Sequence, residues 1–326
     1  MMKRMFAIGF ILMVFVSFLA FAQEKVLHWN LGIDPGTIDP SYATSIAAQQ
    51  IDHALFLGLT EIDDETLKVV PRLATSWEAS DNGITWTFHL RREAMWSDGT
   101  PVTAHDITFA IQRTLDPEGS SPLVQRLYVL KGAQRYHTGV GRARDIGVRA
   151  IDNYTVRFTL NKKDDCLPAL VLEPVFYPQP RSIVEDYGID WTKPKHIVTD
   201  GAYVLEQWVK DHIILYKSTT YYDAGKVNID EVYCYMIADT SAALTMYEQG
   251  KLDVVRIARS DIAQVKANTT LSKELYIAPS ETLRIGDDCA ISVTYTYPLA
   301  ELTKPYVTRT HAALGREKWE KWDIHR

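Results

Sequence analysis

Three adjacent carboxylate pairs, Asp63-Asp64, Asp164-Asp165 and Asp287-Asp288, are the first residues of this chain whose types could do chemistry. Two carboxyl groups flanking a bond can hydrolyse a glycoside, one as acid and the other as base or nucleophile. Neighbours on an extended chain point apart, however, and all three pairs read as solvated turns. The nine histidines include no pair at i, i+4, so neither His105 nor His212 is expected to bind metal. The three cysteines, Cys166, Cys234 and Cys289, have no CxxC spacing, and their odd number leaves at least one unpaired within the chain. No HExxH, GxSxG, GxGxxG or P-loop string occurs. The 8 tryptophans and 17 tyrosines could stack on sugars, but most alternate with polar residues, as core and hairpin packing require. Neither a catalytic group nor a metal or cofactor is therefore expected.

The elements that would position any site are clearest between Pro71 and Pro117. Asp81-Asn82-Gly83 tolerates positive φ and sits between two β-rich runs, which predicts a hairpin. In the return strand Ile84, Trp86, Phe88 and Leu90 alternate with Thr85, Thr87 and His89, so one face is buried. After the turn Ser97-Asp98-Gly99-Thr100-Pro101, Thr103 reads as an N-cap with Asp106 at the third helical position. Ile107, Ala110, Ile111 and Leu115 then share one helical face. Farther on, the pattern predicts a second hairpin over Ile146 to Leu160, and a third from Tyr203 to Tyr216. A strand from Asn228 to Ile237, a helix capped by Asp239 and closed by Gly250, and a strand Leu252 to Val255 follow. Near the start, Val26 to Leu31 reads as a strand and Gln49 to Leu59 as a helix.

Pro71-Arg72-Leu73-Ala74-Thr75-Ser76-Trp77-Glu78, the strand Trp86-Thr87-Phe88-His89-Leu90-Arg91 and Trp96-Ser97-Asp98-Gly99-Thr100-Pro101-Val102-Thr103-Ala104 form one long string. It resembles the extracellular solute-binding proteins of the peptide and nickel type, the oligopeptide-binding receptors of ABC importers. Gly201-Ala202-Tyr203-Val204-Leu205-Glu206-Gln207-Trp208 and Gly250-Lys251-Leu252-Asp253-Val254-Val255 match the same family, and Ile38-Asp39-Pro40 echoes its early Leu-Asp-Pro segment. Departures are Leu57 where the family has Glu, and Ser218-Thr219-Thr220-Tyr221-Tyr222 where it has Asn-Pro-x-Tyr-Trp. The resemblance runs from about residue 26 to Gly286.

It implies a mixed α/β fold, periplasmic binding protein-like, type II (peptide-binding class), with an extra accessory subdomain and the second lobe largely absent. Residues 23–60 and 175–286 would form lobe I and 61–174 the accessory subdomain, leaving 287–326 as a divergent tail. Lys3 and Arg4, the apolar run from Met5 to about Phe21 and Ala20-Phe21-Ala22 read as a signal peptide at 1–22, cleaved after Ala22. The alternative, a membrane anchor, needs about 20 apolar residues, and the run is short for that. With no Cys at the cleavage point, a soluble periplasmic protein is expected. The formal charge of -6 argues against a nucleic-acid partner.

Family positions facing the ligand cleft map here to Thr44, Ser45 and Ile46, to Arg256 and Ile257, and to Thr282. Arg256 could pair with a ligand carboxylate, or be a surface arginine at a strand end. The resemblance implies a monomeric, non-enzymatic receptor for short peptides that delivers them to the membrane permease of an ABC importer. The same scaffold also carries metal chelates and oligosaccharides in the family, so the resemblance leaves the ligand's identity open. Two alternatives stay open: a truncated or frameshifted product that binds nothing, and a secreted hydrolase.

Overall fold

A computed structural model describes residues 24–277, 300–311 and 317–326, and the strand backbones of 282–285 and 291–294. The segment expected to be a signal peptide with its expected cleavage site, Cys289 and the Asp287-Asp288 pair lie outside the described residues.

A seven-stranded mixed sheet organises the first part of the structure. From one edge its strands are Leu275–Ile277, Ala300–Thr303, Val254–Arg256, Val26–Asn30, Glu231–Tyr235, His212–Lys217 and Tyr203–Trp208. Val26–Asn30 runs parallel to both of its neighbours, with Trp29 opposite Cys234 on one side and Val254 on the other. Leu27 and Trp29 point into the main core with Val232, Cys234 and Val254, while His28 and Asn30 are partly exposed on the other face. Helix Thr240–Glu248, capped by the Asp239 carboxylate on the Ser241 N–H at 2.9 Å, links two of the parallel strands. It buries Ala243, Leu244 and Tyr247 against Leu252, Val255 and Ile257 in a separate cluster. Gly250 closes it at φ 72°, in the left-handed region that glycine enters without a steric penalty.

The predicted hairpins form a second, four-stranded sheet in the order Ala74–Ala79, Thr85–Leu90, Thr155–Thr159, Val148–Asp152. Trp86, Phe88, Val156 and Phe158 are its buried face. Helix Ala104–Thr114 lies against it and buries Ala104, Ile107, Ala110 and Ile111. The Asp106 carboxylate accepts the Thr103 backbone N–H at 2.7 Å, the capping arrangement that the sequence predicts.

Against the end of the helix that closes at Leu55, the contact at Gly201 leaves no room for a side chain. A Cβ there would lie 2.5 Å from the Ala54 carbonyl oxygen, because the Gly201 N–H donates to the Leu55 carbonyl at 2.8 Å. The helix that ends there spans Ile46–Leu55, earlier than the predicted Gln49 to Leu59, since Ser45 rather than Gln49 supplies the cap.

The segment after Gly286, expected as a divergent tail, contributes the strand Ala300–Thr303, which is hydrogen-bonded on both sides within the large sheet. Trp319 and Trp322 are fully buried and meet Trp29 edge-on, with ring centroids 6.0 and 5.7 Å away. Among the described residues no helix is long and apolar enough to cross a membrane.

Candidate ligand crevice

The carboxyl ends of the parallel strands Val26–Asn30 and Val254–Arg256 open beside the first turn of helix Ile46–Leu55. In open α/β sheets such a point leaves a crevice, since the loops leaving neighbouring strands diverge. Here it measures about 230 Å³ and is lined by Trp29, Asn30, Leu31, Ile33, Ile46, Ala47, Gln50 and Arg256. Ile33 and Ile46 remain more than half exposed, at 53% and 67%.

Local chemistry fixes the walls. The Asn30 side chain accepts the N–H groups of Gly32 and Ile237 at 3.1 Å and donates to the Ile237 carbonyl at 3.1 Å. Its amide thus serves the backbone of the loop that leaves the strand. That loop is anchored farther on by Asp39, whose two oxygens take a bidentate pair from Arg113 at 2.9 and 2.6 Å and the Trp191 indole N–H at 2.8 Å. The Ser45 hydroxyl accepts the Ala48 N–H at 3.0 Å and so starts the helix. Gln50 clamps residue 317, accepting its N–H at 2.6 Å and donating to its carbonyl at 2.8 Å.

Arg256 supplies the cationic group. Its Nε donates to the fully buried Glu301 carboxylate at 3.2 Å, its guanidinium lies 5.9 Å from the Trp29 ring, and 36% of its side chain is exposed. Behind it Glu301 also accepts from Arg309 at 2.8 Å, and Arg309 reaches Glu317 at 3.2 Å. Burial pushes the Glu317 carboxyl up to about 7 against the pull of Arg309. Burial and the neighbouring Arg309 push the His311 imidazole down to about 4.

Of the residues expected from the sequence, Ile46 and Arg256 line this one crevice. Thr44 is exposed in the loop before the helix, and the Ser45 hydroxyl is taken up by the cap. The Ile257 side chain is buried in the cluster under helix Thr240–Glu248, and its N–H donates to the Ala300 carbonyl at 2.9 Å. Thr282 lies on the strand Thr282–Ile285, whose side chains lie outside the description. Sequence reasoning did not single out Trp29, Asn30 or Gln50. The first two stand at the end of a predicted strand just before Gly32, where a strand-end rule would have pointed.

Carboxylates elsewhere are engaged in structure. Asp64 departs from the solvated turn expected for its pair: its side chain is 8% exposed and meets Lys318 at 3.1 Å. Asp164 accepts the Cys166 N–H at 2.8 Å, while Asp165 meets Lys163 at 3.3 Å. His53, Glu61 and Glu320 bring three potential metal-ligand atoms within 4.8 Å of one another. The Arg72 guanidinium already occupies that spot, 2.7 Å from His53 Nδ1, 3.8 Å from Glu61 and 3.9 Å from Glu320. Burial opposes its charge, yet the two carboxylates hold its pKa above the ordinary value. A cation is thus built in. Cys234 is a buried free thiol whose pKa burial raises, so it is no nucleophile.

Comparison with known proteins places these features in context. The description "Bacterial extracellular solute-binding proteins, family 5 Middle" matches residues 68–289. The periplasmic oligopeptide-binding protein OppA of Escherichia coli (strain K12) is 33% identical over 261 residues, 79% of this chain and 48% of the relative. The periplasmic murein peptide-binding protein MppA of the same organism is 36% identical over 239 residues, 72% of this chain and 44% of the relative. Among solved structures, the E. coli murein tripeptide binding protein MppA superposes with a TM-score of 0.75 at 30% identity, covering 80% of this chain and 51% of its own. Haemophilus influenzae OppA in complex with RPPGFSPFR gives 0.75 at 29%, with 80% and 51% covered. The chain spans about half the length of the curated relatives it matches.

Proposed function

The chain belongs to the bacterial extracellular solute-binding proteins of family 5, and from that premise we propose that it is a periplasmic receptor that binds a short peptide and delivers it to the permease of an ABC importer. The observation that carries this reading is the meeting of Ile46 and Arg256, far apart in sequence, in one crevice at the carboxyl ends of parallel strands. The names of the relatives support the cargo, since they are oligopeptide- and murein peptide-binding proteins and one structure holds a nonapeptide. In this reading residues 23–60 and 175–286 form the first lobe and 61–174 the accessory subdomain.

The mechanism follows from the walls. Arg256 binds the carboxylate of the peptide while Glu301 keeps its guanidinium in place, a charge-assisted contact of about 1.5–3 kcal/mol. Ile33 and Ile46, the exposed apolar walls, cover apolar side chains without selecting among them. Backbone groups of the loop after Asn30 pair with the extended peptide. In this reading the peptide is carried and leaves unchanged; among the described residues that line the crevice the polar side chains are Asn30, Gln50 and Arg256, which serve binding and backbone contacts.

A thermal melt with and without a pool of di- to pentapeptides tests the proposal. A ligand that prefers the native state raises the transition, by about 2.7 kcal/mol at a hundredfold excess over Kd. A cooperative transition indifferent to every peptide would instead support a chain that folds without binding, a reading favoured by the half-length overlap with its relatives. Cleaved peptides in the recovered pool would support the hydrolase.

A further inference from the structure

The loop 31–37 borders two hollows. Leu31 and Ile33 line the crevice, while Asp34, Gly36 and Thr37 line a wider depression of about 720 Å³. Its remaining wall comes from the segment 189–196 and the hairpin around Trp208, Val209 and Lys210.

Two features of this depression have no explanation in the fold. Ile189, in the short turn Gly188–Asp190, is 91% exposed, and Val209 is 37% exposed across the hollow. Three ammonium groups, Lys193, Lys195 and Lys210, line it against the single carboxylate of Asp34, on a chain whose formal charge is -6. Lys193 is bridged to Asp190 at 2.8 Å. Among the described residues neither Lys195 nor Lys210 has a carboxylate within 4.0 Å. The wall carrying the lysines is held in shape. The His196 ring stacks on Tyr187 at 3.9 Å and 8°, and its Nδ1 donates to the Asp190 carbonyl at 3.1 Å.

We propose that this depression docks an acidic, extended segment of a partner protein, with an apolar side chain seated between Ile189 and Val209 and its carboxylates on Lys195 and Lys210. Exposed apolar side chains ringed by charge mark interaction surfaces rather than folding residues. Unpaired ammonium groups on the rim steer an acidic partner and set its register. The hollow is open and built from loops, which fits a polypeptide laid across it better than an enclosed solute. A partner seated here touches the loop whose other residues line the crevice. The docking itself does not depend on what that crevice binds.

The test uses the full chain and a fluorescein-labelled decapeptide of glutamate interspersed with leucine, with lysine replacing glutamate in the control, read by fluorescence anisotropy. The acidic peptide is expected to bind and the basic one not. Binding should weaken roughly tenfold or more when salt rises from about 0.05 to 0.3 M, as screening of exposed charges requires. The triple variant Lys193→Glu, Lys195→Glu, Lys210→Glu should lose it, and Ile189→Asp should weaken it about tenfold at an unchanged melting temperature. Arg256→Ala should leave it intact. Equal binding by the triple variant, or no binding by the wild type, overturns the proposal. So does loss in Arg256→Ala, which would put the probe in the crevice, or displacement by free glutarate at the peptide's own concentration, which would make this a small-anion site.

Discussion

The Nε of Arg256 lies 3.2 Å from a carboxylate oxygen of Glu301, a side chain with no exposed surface at all. The arginine that faces the crevice is therefore held from behind by a charge that also serves the buried Arg309. The two partners should respond differently to substitution. Glu301→Gln leaves Arg309 in the interior with Glu317 as its remaining carboxylate partner, which should cost about 3–5 kcal/mol in urea unfolding. Arg256 is more than a third exposed, so Arg256→Ala should cost about 1 kcal/mol or less. The same variant should weaken peptide binding roughly ten- to hundredfold, the worth of one charge-assisted hydrogen bond. A variant that binds peptide as well as the wild type would remove Arg256 from the site.

Glu317 and His311 shift in opposite directions on folding. The Glu317 pKa rises from 4.5 to about 7 on folding, so between these values the native state holds more protons than the unfolded chain, and the group's contribution falls as pH rises. The His311 pKa falls from 6.5 to about 4, so between those values the native state holds fewer protons, and its contribution rises with pH. Over the shared window the two slopes oppose. In urea unfolding at stepped pH, Glu317→Gln should gain on the wild type as pH rises from about 4.5 to 7. His311→Asn should lose ground to the wild type across pH 4 to 6.5. Parallel curves for all three proteins would contradict the assignment.

Asp200 is buried, and burial holds its carboxyl well above the ordinary carboxylate value, while one oxygen accepts the Leu57 N–H at 3.0 Å. With the folded pKa raised, the contribution of this group is complete below about 3.8 and is lost as pH climbs through the folded value. Asparagine keeps the acceptor and removes the titration. Asp200→Asn should therefore match the wild type in acid and exceed it in melting temperature near neutrality. Asp200→Leu, lacking the acceptor, should fall below both by roughly 1–3 kcal/mol, the cost of stranding the Leu57 N–H.

Trp322 is fully buried, packs edge-on to Trp29 and lies under the Arg309 guanidinium at 4.4 Å. Trp322→Ala should cost about 3–5 kcal/mol, the range for opening a cavity at a large core side chain. If the closing segment were an appendage rather than part of the core, the loss in urea midpoint would be negligible.

What the sequence determined was local. Asp81-Asn82-Gly83 made one hairpin legible because turn chemistry acts within a few residues. Thr103 with Asp106, and Asp239 with Gly250, marked helix ends because capping is a contact between near neighbours. The alternation of Trp86, Phe88 and Leu90 with threonines told which face is buried, though not what covers it. Ile46 and Arg256 were reached through family resemblance rather than through any pattern of their own.

Tertiary structure alone decided the rest. The strand Ala300–Thr303 pairs on both edges with strands that lie before it in the chain, and nothing within its four residues names those partners. Trp29 meets Trp322 across almost the whole chain, and Arg72 settles among His53, Glu61 and Glu320 from three separate segments. Such pairings answer to surface and charge left unsatisfied elsewhere. Periodicity and turn chemistry report only the residue's own neighbourhood, so the shape of the crevice and the buried carboxylate behind Arg256 became readable only once the chain had closed on itself.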